Sequence, residues 1–349
     1  WDSNGEALWS IRRYCELTGQ PPAPDWKSWV RKGADWIAHK RLPGIYNRSA
    51  SGLLPAGFSA EHLGPNDCYY WDDFWGVAGL QAAAWLMEQY DETQLAEKYH
   101  VEAADFMRDI EASLAKASQR LGRAAMPAAP ERRLDPGAIG SLVVGYPLQL
   151  WPADDPRLLD TLRFLDDECL IGGCFFQNII HSGLNPYLTL HMAQVHLRAG
   201  NPRYLDRMTC VASKASSTGQ WPEAVHPLTG GGCMGDGQHI WASAEWLLML
   251  IHCFVREEGQ QLVLGSGIPL QWLAQEEPLK IGPVQTPWGP IEVEILPAAD
   301  SVQVVWKAQW RTPPESVVIA FPSMAKMVLA ADANGRASVI SEKPLRTTL

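Results

Sequence analysis

The chain has 349 residues, 46% hydrophobic and 19% charged, with 39 acidic against 29 basic residues and a formal net charge of −10. This composition is that of a folded globular chain, so global disorder is excluded. The acidic excess, without a Lys/Arg cluster, argues against a nucleic acid partner. No apolar run reaches the roughly eighteen residues of a membrane span.

Sixteen tryptophans outnumber nine tyrosines and eight phenylalanines. A core can be filled with Leu, Ile and Val, so this many indoles point to flat, amphipathic surfaces for a ligand.

From Ser3 to about Leu270 the helix period dominates. Ser3-Asn4-Gly5-Glu6 has capping-box spacing, Leu8, Ile11 and Cys15 share a face, and Gly19 stops the helix. After Pro21, Pro22 and Pro24, Asp25 is expected to cap a second helix with Trp26, Trp29, Val30 and Gly33 on one stripe. The stretch 42–70 is rich in Gly and Pro and has no period, which marks a loop of the functional kind. It delivers the chain to Trp71-Asp72-Asp73-Phe74-Trp75, where helix spacing resumes.

Further helices are expected at 92–121, 135–148, 156–169, 186–199, 202–217 and 241–257. They are joined pairwise by short turns into antiparallel hairpins. No exact repeat occurs. Beyond Leu270 the period changes to two at Ile291–Ile295 and Val302–Trp306, and Ser316–Phe321 is a short apolar run. These predict a small antiparallel β module. The division is 1–270, helical, and 271–349, β.

Seven cysteines, at 15, 68, 169, 174, 210, 233 and 253, form no CxxC pair. They are read as mostly reduced, buried small hydrophobes, and from this a cytoplasmic location is expected. The chain opens at Trp1 without a methionine or a signal-like start, which fits either processing or a missing upstream segment.

Three segments could carry chemistry. Tyr69–Trp75 holds Asp72 and Asp73 among aromatic rings, surroundings that raise a carboxyl pKa and keep an acid protonated near neutrality. Adjacent residues point different ways, so one of the two enters a given cleft. In Trp221–Gly232 the prolines and glycines forbid a helix, and Glu223 lies beside Trp221 on a rigid loop, as suits a general base. Gly235–Trp246 opens the last long helix, with Gln238 and His239 placed to donate hydrogen bonds to a ligand. His239, Asp236 and His226 lack metal-site spacing, so no metal is expected. No Walker loop, nucleophile elbow or dinucleotide fingerprint occurs, so no cofactor is expected.

In order, these segments resemble the six-hairpin (α/α)6 glycosidases, above all the glucoamylase-like family and its trehalase and processing-glucosidase relatives. Trp1–Leu8 is similar to that family's Arg/Gln-Asp-Gly-x-Ala-Leu helix start, which would make Asp2 a sugar ligand. Tyr70-Trp71-Asp72-Asp73 resembles the aromatic-Trp-Glu-Glu segment whose first carboxylate is the general acid, with Asp in place of Glu as in the trehalase-type relatives. His181–Tyr187 is similar to a Gly-Asn-Pro-Trp helix start, Trp221-Pro222-Glu223 to the general-base segment, and Ile240–Ala244 to a Thr-Trp-Ser-Tyr-Ala start.

The resemblance spans 1–257 and implies an (α/α)6 toroid. About nine helices are counted against the family's twelve, so its upstream hairpin is expected to lie outside this sequence. It implies hydrolysis of an oligosaccharide or small glycoside with inversion. Asp72 or Asp73 would act as acid and Glu223 as base, with Trp71, Trp221 and Trp241 as sugar walls and Asp2, Asn185 and His239 as hydroxyl-orienting groups. Two rival readings remain: a carbohydrate-binding protein without turnover, and an epimerase or lyase using His239, His226 and Tyr70.

Overall fold

The computed structural model describes residues 1–43, 49–58, 64–179, 182–275, 277–298 and 300–340. Parts of the expected 42–70 loop, and His181 in the helix-start motif, lie outside them.

Helix α1 (Ser3–Thr18) ends where Gly19 turns left-handed (φ 69°) and its N–H returns to the Cys15 carbonyl. The next helix does not start at Asp25. A 3-10 turn (Pro24–Trp26) precedes α2 (Lys27–Lys40), whose buried stripe is Val30, Ala34 and Ile37. Trp29, expected on that stripe, is 60% exposed.

Helix α3 (Tyr70–Gln89) is buried on nearly every side, as its almost uniformly apolar sequence requires. It packs on α1 at backbone range. A Cβ at Gly79 would lie 2.6 Å from the Gly5 Cα, and one at Gly5 would overlap the Trp75 carbonyl. Helix α4 (Thr93–Leu121) covers the other side of α3 and ends at left-handed Gly122. The helix expected at 135–148 is instead a 3-10 segment, Pro136–Val144, capped by Asp135. Its glycines and Pro147 do not sustain α geometry.

Helix α5 (Pro156–Glu168) is capped by Asp155. Strands β1 (Leu170–Ile171), β2 (Cys174–Asn178) and β3 (Ser182–Leu184) follow, then α6 (Pro186–Arg198) and α7 (Arg203–Ser213). After β4 (Ala224–Val225) and β5 (Gly232–Met234) the chain enters α8 (Ile240–Phe254). Strands β1 to β5 form one antiparallel sheet in chain order, absent from the sequence expectation. Side by side, α1 packs on α3, α3 on the 3-10 segment, that segment on α6, and α6 on α8.

The last helix stops three residues short of its expected end, because Val255–Glu258 is strand β6, paired with β7 (Gln261–Leu264). A short helix, α9 (Leu270–Leu273), leads into β8 (Leu279–Thr286), β9 (Gly289–Pro297), β10 (Ser301–Ala308), β11 (Ser316–Ile319), β12 (Met327–Leu329) and β13 (Asn334–Ile340). One sheet runs β13-β10-β9-β8 and is antiparallel, the other β12-β11-β7-β6. In the second, β11 and β7 are parallel, so the module is not purely antiparallel, and strands from both sides of residue 270 share one sheet. Arg311 reaches back to the carbonyls of Glu16 and Leu17, and Arg13 of α1 pairs with Glu257 of β6. The fold is mainly α with C-terminal β-sheets.

Two of the cysteines are not reduced. Cys174 of β2 and Cys210 of α7 form a disulfide, while Cys15, Cys68, Cys169 and Cys253 are buried thiols and Cys233 an exposed one.

Candidate active site

The start of α3 presents the two aspartates differently. Asp73 turns under the preceding loop, where one oxygen accepts the Leu54 N–H at 2.8 Å and the other is buried without a partner among the described residues. Burial, reinforced by Asp72, holds it protonated well above the usual carboxylate range. Asp72 is also fully buried, and neither of its oxygens has a hydrogen-bond partner among the described residues. The Trp1 amino nitrogen lies 3.3 Å from its Oδ1. Burial raises Asp72 to about 6, that amino group opposing and Asp2 reinforcing the shift. Neither aspartate caps the helix, whose first turn starts behind extended Tyr69.

Asp2 is buried against this pair, accepting the Trp71 indole N–H at 2.8 Å. One turn along the same face of α1 stands Glu6, a half-buried carboxylate pushed up to about 7 by burial and then by Asp2 and Asp72. Sequence reading passed over Glu6 as a capping-box partner. Asp2 in fact occupies the cap position without a side-chain cap, and the i, i+4 spacing of Asp2 and Glu6 was the available signal.

Aromatic rings connect the starts of three helices. Trp71 (α3) lies 6.5 Å from Trp241 (α8), which stacks on Tyr187 (α6) at 4.6 Å, and Tyr187 meets His239 at 4.9 Å. Of the three proposed sugar walls, Trp241 is 38% exposed while Trp71 and Trp221 are 1% and 4% exposed. Trp221 is a packing residue: its N–H goes to the Val211 carbonyl at 2.8 Å and its ring lies 5.5 Å from Trp246. Asn185 is likewise committed, capping α6 through the Leu188 N–H at 3.0 Å and donating to Gln177 at 3.2 Å. It is fully buried, so the expected hydroxyl contact is replaced by a structural role.

His239 Nδ1 lies 3.1 Å from Asp236, and its Nε2 is buried without a partner among the described residues. Glu223 is tied to the same segment. Its N–H donates to the Asp236 carbonyl at 3.0 Å, the His239 N–H to the Trp221 carbonyl at 2.8 Å, and its carboxylate lies where a side chain at Gly235 (φ +66°) would project. The chain of rings thus runs from Trp71, the residue before Asp72, to His239, in the segment to which the Glu223 backbone is bonded. Two of the three rival acid/base groups are occupied, while His239 keeps its Nε2 open: His226 accepts the Leu228 and Thr229 N–H groups at 3.2 Å, and the buried Tyr70 hydroxyl lies 2.8 Å from Ser113.

One to three helical turns beyond Tyr187 and Trp241 lies a buried polar layer. Glu245 receives the Tyr146 hydroxyl at 3.1 Å and the Gln194 amide at 2.8 Å, and His252 Nδ1 lies 2.9 Å from the Gln194 Oε1. Burial pushes Glu245 up to about 7, His252 down to about 3 and His191 down to about 4. A separate cavity of about 450 Å³ is lined by residues of α5, α6 and α7, including Asp166, His196 and Arg203. None of the candidate site residues lines it, and Asp166 there pairs with Arg203 and Arg207 and lies 3.1 Å from His196. Among the described residues no three His, Cys, Asp or Glu side chains could hold a metal, and no helix is long and apolar enough to cross a membrane.

Asp2 and Asp72 thus stand at the starts of α1 and α3. No protein-family model and no curated protein matches the sequence. Solved structures do match. A bacterial glucoamylase complexed with acarbose aligns at 18% identity and TM-score 0.52 over 71% of this chain and 40% of its own. A wild-type glycosidase aligns at 15% and 0.53 over 71% and 65%. A glycosidase variant in complex with glucose aligns at 14% and 0.50 over 71% and 60%. The chain therefore shares the glycosidase fold and spans 40–65% of the length of these structures.

Proposed function

We propose that the chain is a glycoside hydrolase that cleaves an oligosaccharide or small glycoside with inversion, its helices belonging to an (α/α)6 toroid. In this reading 1–270 carry the chemistry and 271–349 the β module. The observation that carries the proposal is Asp72, a buried carboxyl group whose Oδ2 has no hydrogen-bond partner among the described residues, whose Oδ1 faces the Trp1 amino group at 3.3 Å, and whose pKa is raised to about 6. A group so placed holds a proton near neutrality and can deliver it to a departing glycosidic oxygen. The bond from Leu54 to Asp73, which ties that carboxyl to the preceding loop, supports Asp72 over Asp73 in that part.

Glu223 would take the proton of a water attacking the opposite face of the sugar, a geometry needing carboxyls roughly 6.5–9.5 Å apart. Trp241 offers the open ring face, Asp2 and the free Nε2 of His239 offer hydrogen bonds to hydroxyls, and Trp71 backs the acid. Asn185 and Trp221 hold α6 and the Glu223 loop in place.

The test is product NMR on a panel of α- and β-linked disaccharides and aryl glycosides. The expected result is release of the inverted anomer, abolished by Asp72→Asn and Glu223→Gln but not by Asp73→Asn, with kcat/KM falling as pH rises through about 6. Retention of configuration, or turnover surviving Glu223→Ala, would overturn the mechanism. Sugar binding without turnover would leave a carbohydrate-binding protein.

A further inference from the structure

We propose that the Cys174–Cys210 disulfide is a positioning element for Glu223, an inference that rests on the assignment of Glu223 as base. The contacts form a closed circuit. Cys210 and Val211 are adjacent on α7. The first is bonded to Cys174 at the start of β2, and the second accepts the Trp221 indole N–H at 2.8 Å. Trp221 is two residues ahead of Glu223, and Glu223 leads directly into β4. From β4 the ladder returns through β3, where Leu184 faces Val225, to β2, where Phe176 faces Leu184. Glu223 therefore sits on a loop of contacts whose two ends are neighbouring residues of one helix.

Every link in that circuit except one is a hydrogen bond or a short ladder. The strands have two, three and five residues, and β3 meets β4 at a single residue pair. Ladders this short are marginal by themselves. The disulfide is the covalent member and bridges 36 residues of sequence, fixing the sheet against α7. Arg207, one turn earlier on α7, adds a bond to the Gly173 carbonyl at 2.7 Å, so the β1–β2 turn is clamped to the same helix. When the bond opens, the sheet keeps its partners but loses its fixed distance from α7, and Glu223 loses its fixed place. Asp72, on α3, is outside the circuit.

The experiment compares the native protein, the same protein reduced in its folded state with dithiothreitol, the Cys174→Ser/Cys210→Ser variant, and Trp221→Phe. In the reduction, two electrons and two protons pass from the dithiol to the two sulfurs and the reagent closes to its cyclic disulfide. Amide hydrogen exchange is read by mass spectrometry on peptides covering 221–225 and 234–239, with 70–75 and the β8–β10 sheet as references.

The expected result is about tenfold faster exchange at 221–225 and 234–239 in all three altered forms, with the references unmoved. On a glycoside cleaved by the native protein, kcat falls about tenfold or more with KM nearly constant. Two free thiols at 174 and 210 in the native protein would overturn the proposal. So would unchanged exchange at 221–239, or an equal rise across the whole chain, which would make the bond a general stabiliser. Local loosening with full kcat refutes positioning. Local loosening in a protein that hydrolyses no glycoside in any form keeps the mechanical coupling, but refutes the placing of a base and with it the glycosidase reading.

Discussion

Replacing Glu245 by glutamine should flatten the pH dependence of stability. Glu245 is buried between Tyr146 and Gln194, and burial lifts its pKa from the ordinary 4.5 to about 7. Below 4.5 the carboxyl is protonated in both folded and unfolded chains. As pH rises from 4.5 to 7 the unfolded chain gives up its proton while the folded one keeps it, so stability falls, and the loss is complete above 7. At 1.36 kcal/mol per pKa unit the loss is ~3 kcal/mol. A glutamine side chain in its place cannot ionise and removes this loss. Glu6 and Asp72 titrate over the same range in both proteins and cancel in the comparison, and His252, held down to about 3, stays neutral. Calorimetric Tm values at several pH values between 4.5 and 8 measure it. At roughly 2–4 °C per kcal/mol, the wild-type Tm should drop by roughly 6–12 °C more than that of Glu245→Gln. Parallel Tm curves would refute the reasoning.

Gly5→Ala should cost about 3 kcal/mol or more, because its Cβ would overlap the Trp75 carbonyl where α1 and α3 touch backbone to backbone. An unshifted urea midpoint would show that the helices can separate cheaply. Asp73→Ala should cost about 1–3 kcal/mol by orphaning the buried Leu54 N–H, and Asp73→Asn much less, since the amide oxygen still accepts that bond. Equal losses in urea titrations would mean that the bond to Leu54 contributes little.

The helices were legible because their apolar stripes repeat over ten or more residues. α4, α5 and α6 fall within a residue of expectation. Strands of two to five residues leave no period, so the β1–β5 sheet is invisible in the sequence, and the expected helix runs on into β6 as far as residue 257 because Arg256 and Glu257 are good helix formers. The acidic segments could be read as chemistry from their residue types and aromatic neighbours. The orientation of each side chain could not. Trp221 and Asn185 turn inward because of partners on α7, α6 and β2, which are near in sequence but come within reach only once a helix and short strands have packed together. The Cys174–Cys210 pairing is likewise set by the packing of a strand on a helix across 36 residues, which no spacing rule reveals.

The parallel pairing of β7 with β11 bears on how this molecule can be divided. Two strands that leave α8 directly supply half of a sheet whose other half comes some fifty residues later along the chain. A chain ended at residue 270 would strip β7 of its neighbour and leave Leu262, Val263 and Leu264 on an open edge, a template for aggregation. The converse piece would lack the strand that completes β11. The seam between helical and β parts therefore runs through a sheet and not through a linker, so in any recombination of modules the two parts would have to be inherited together.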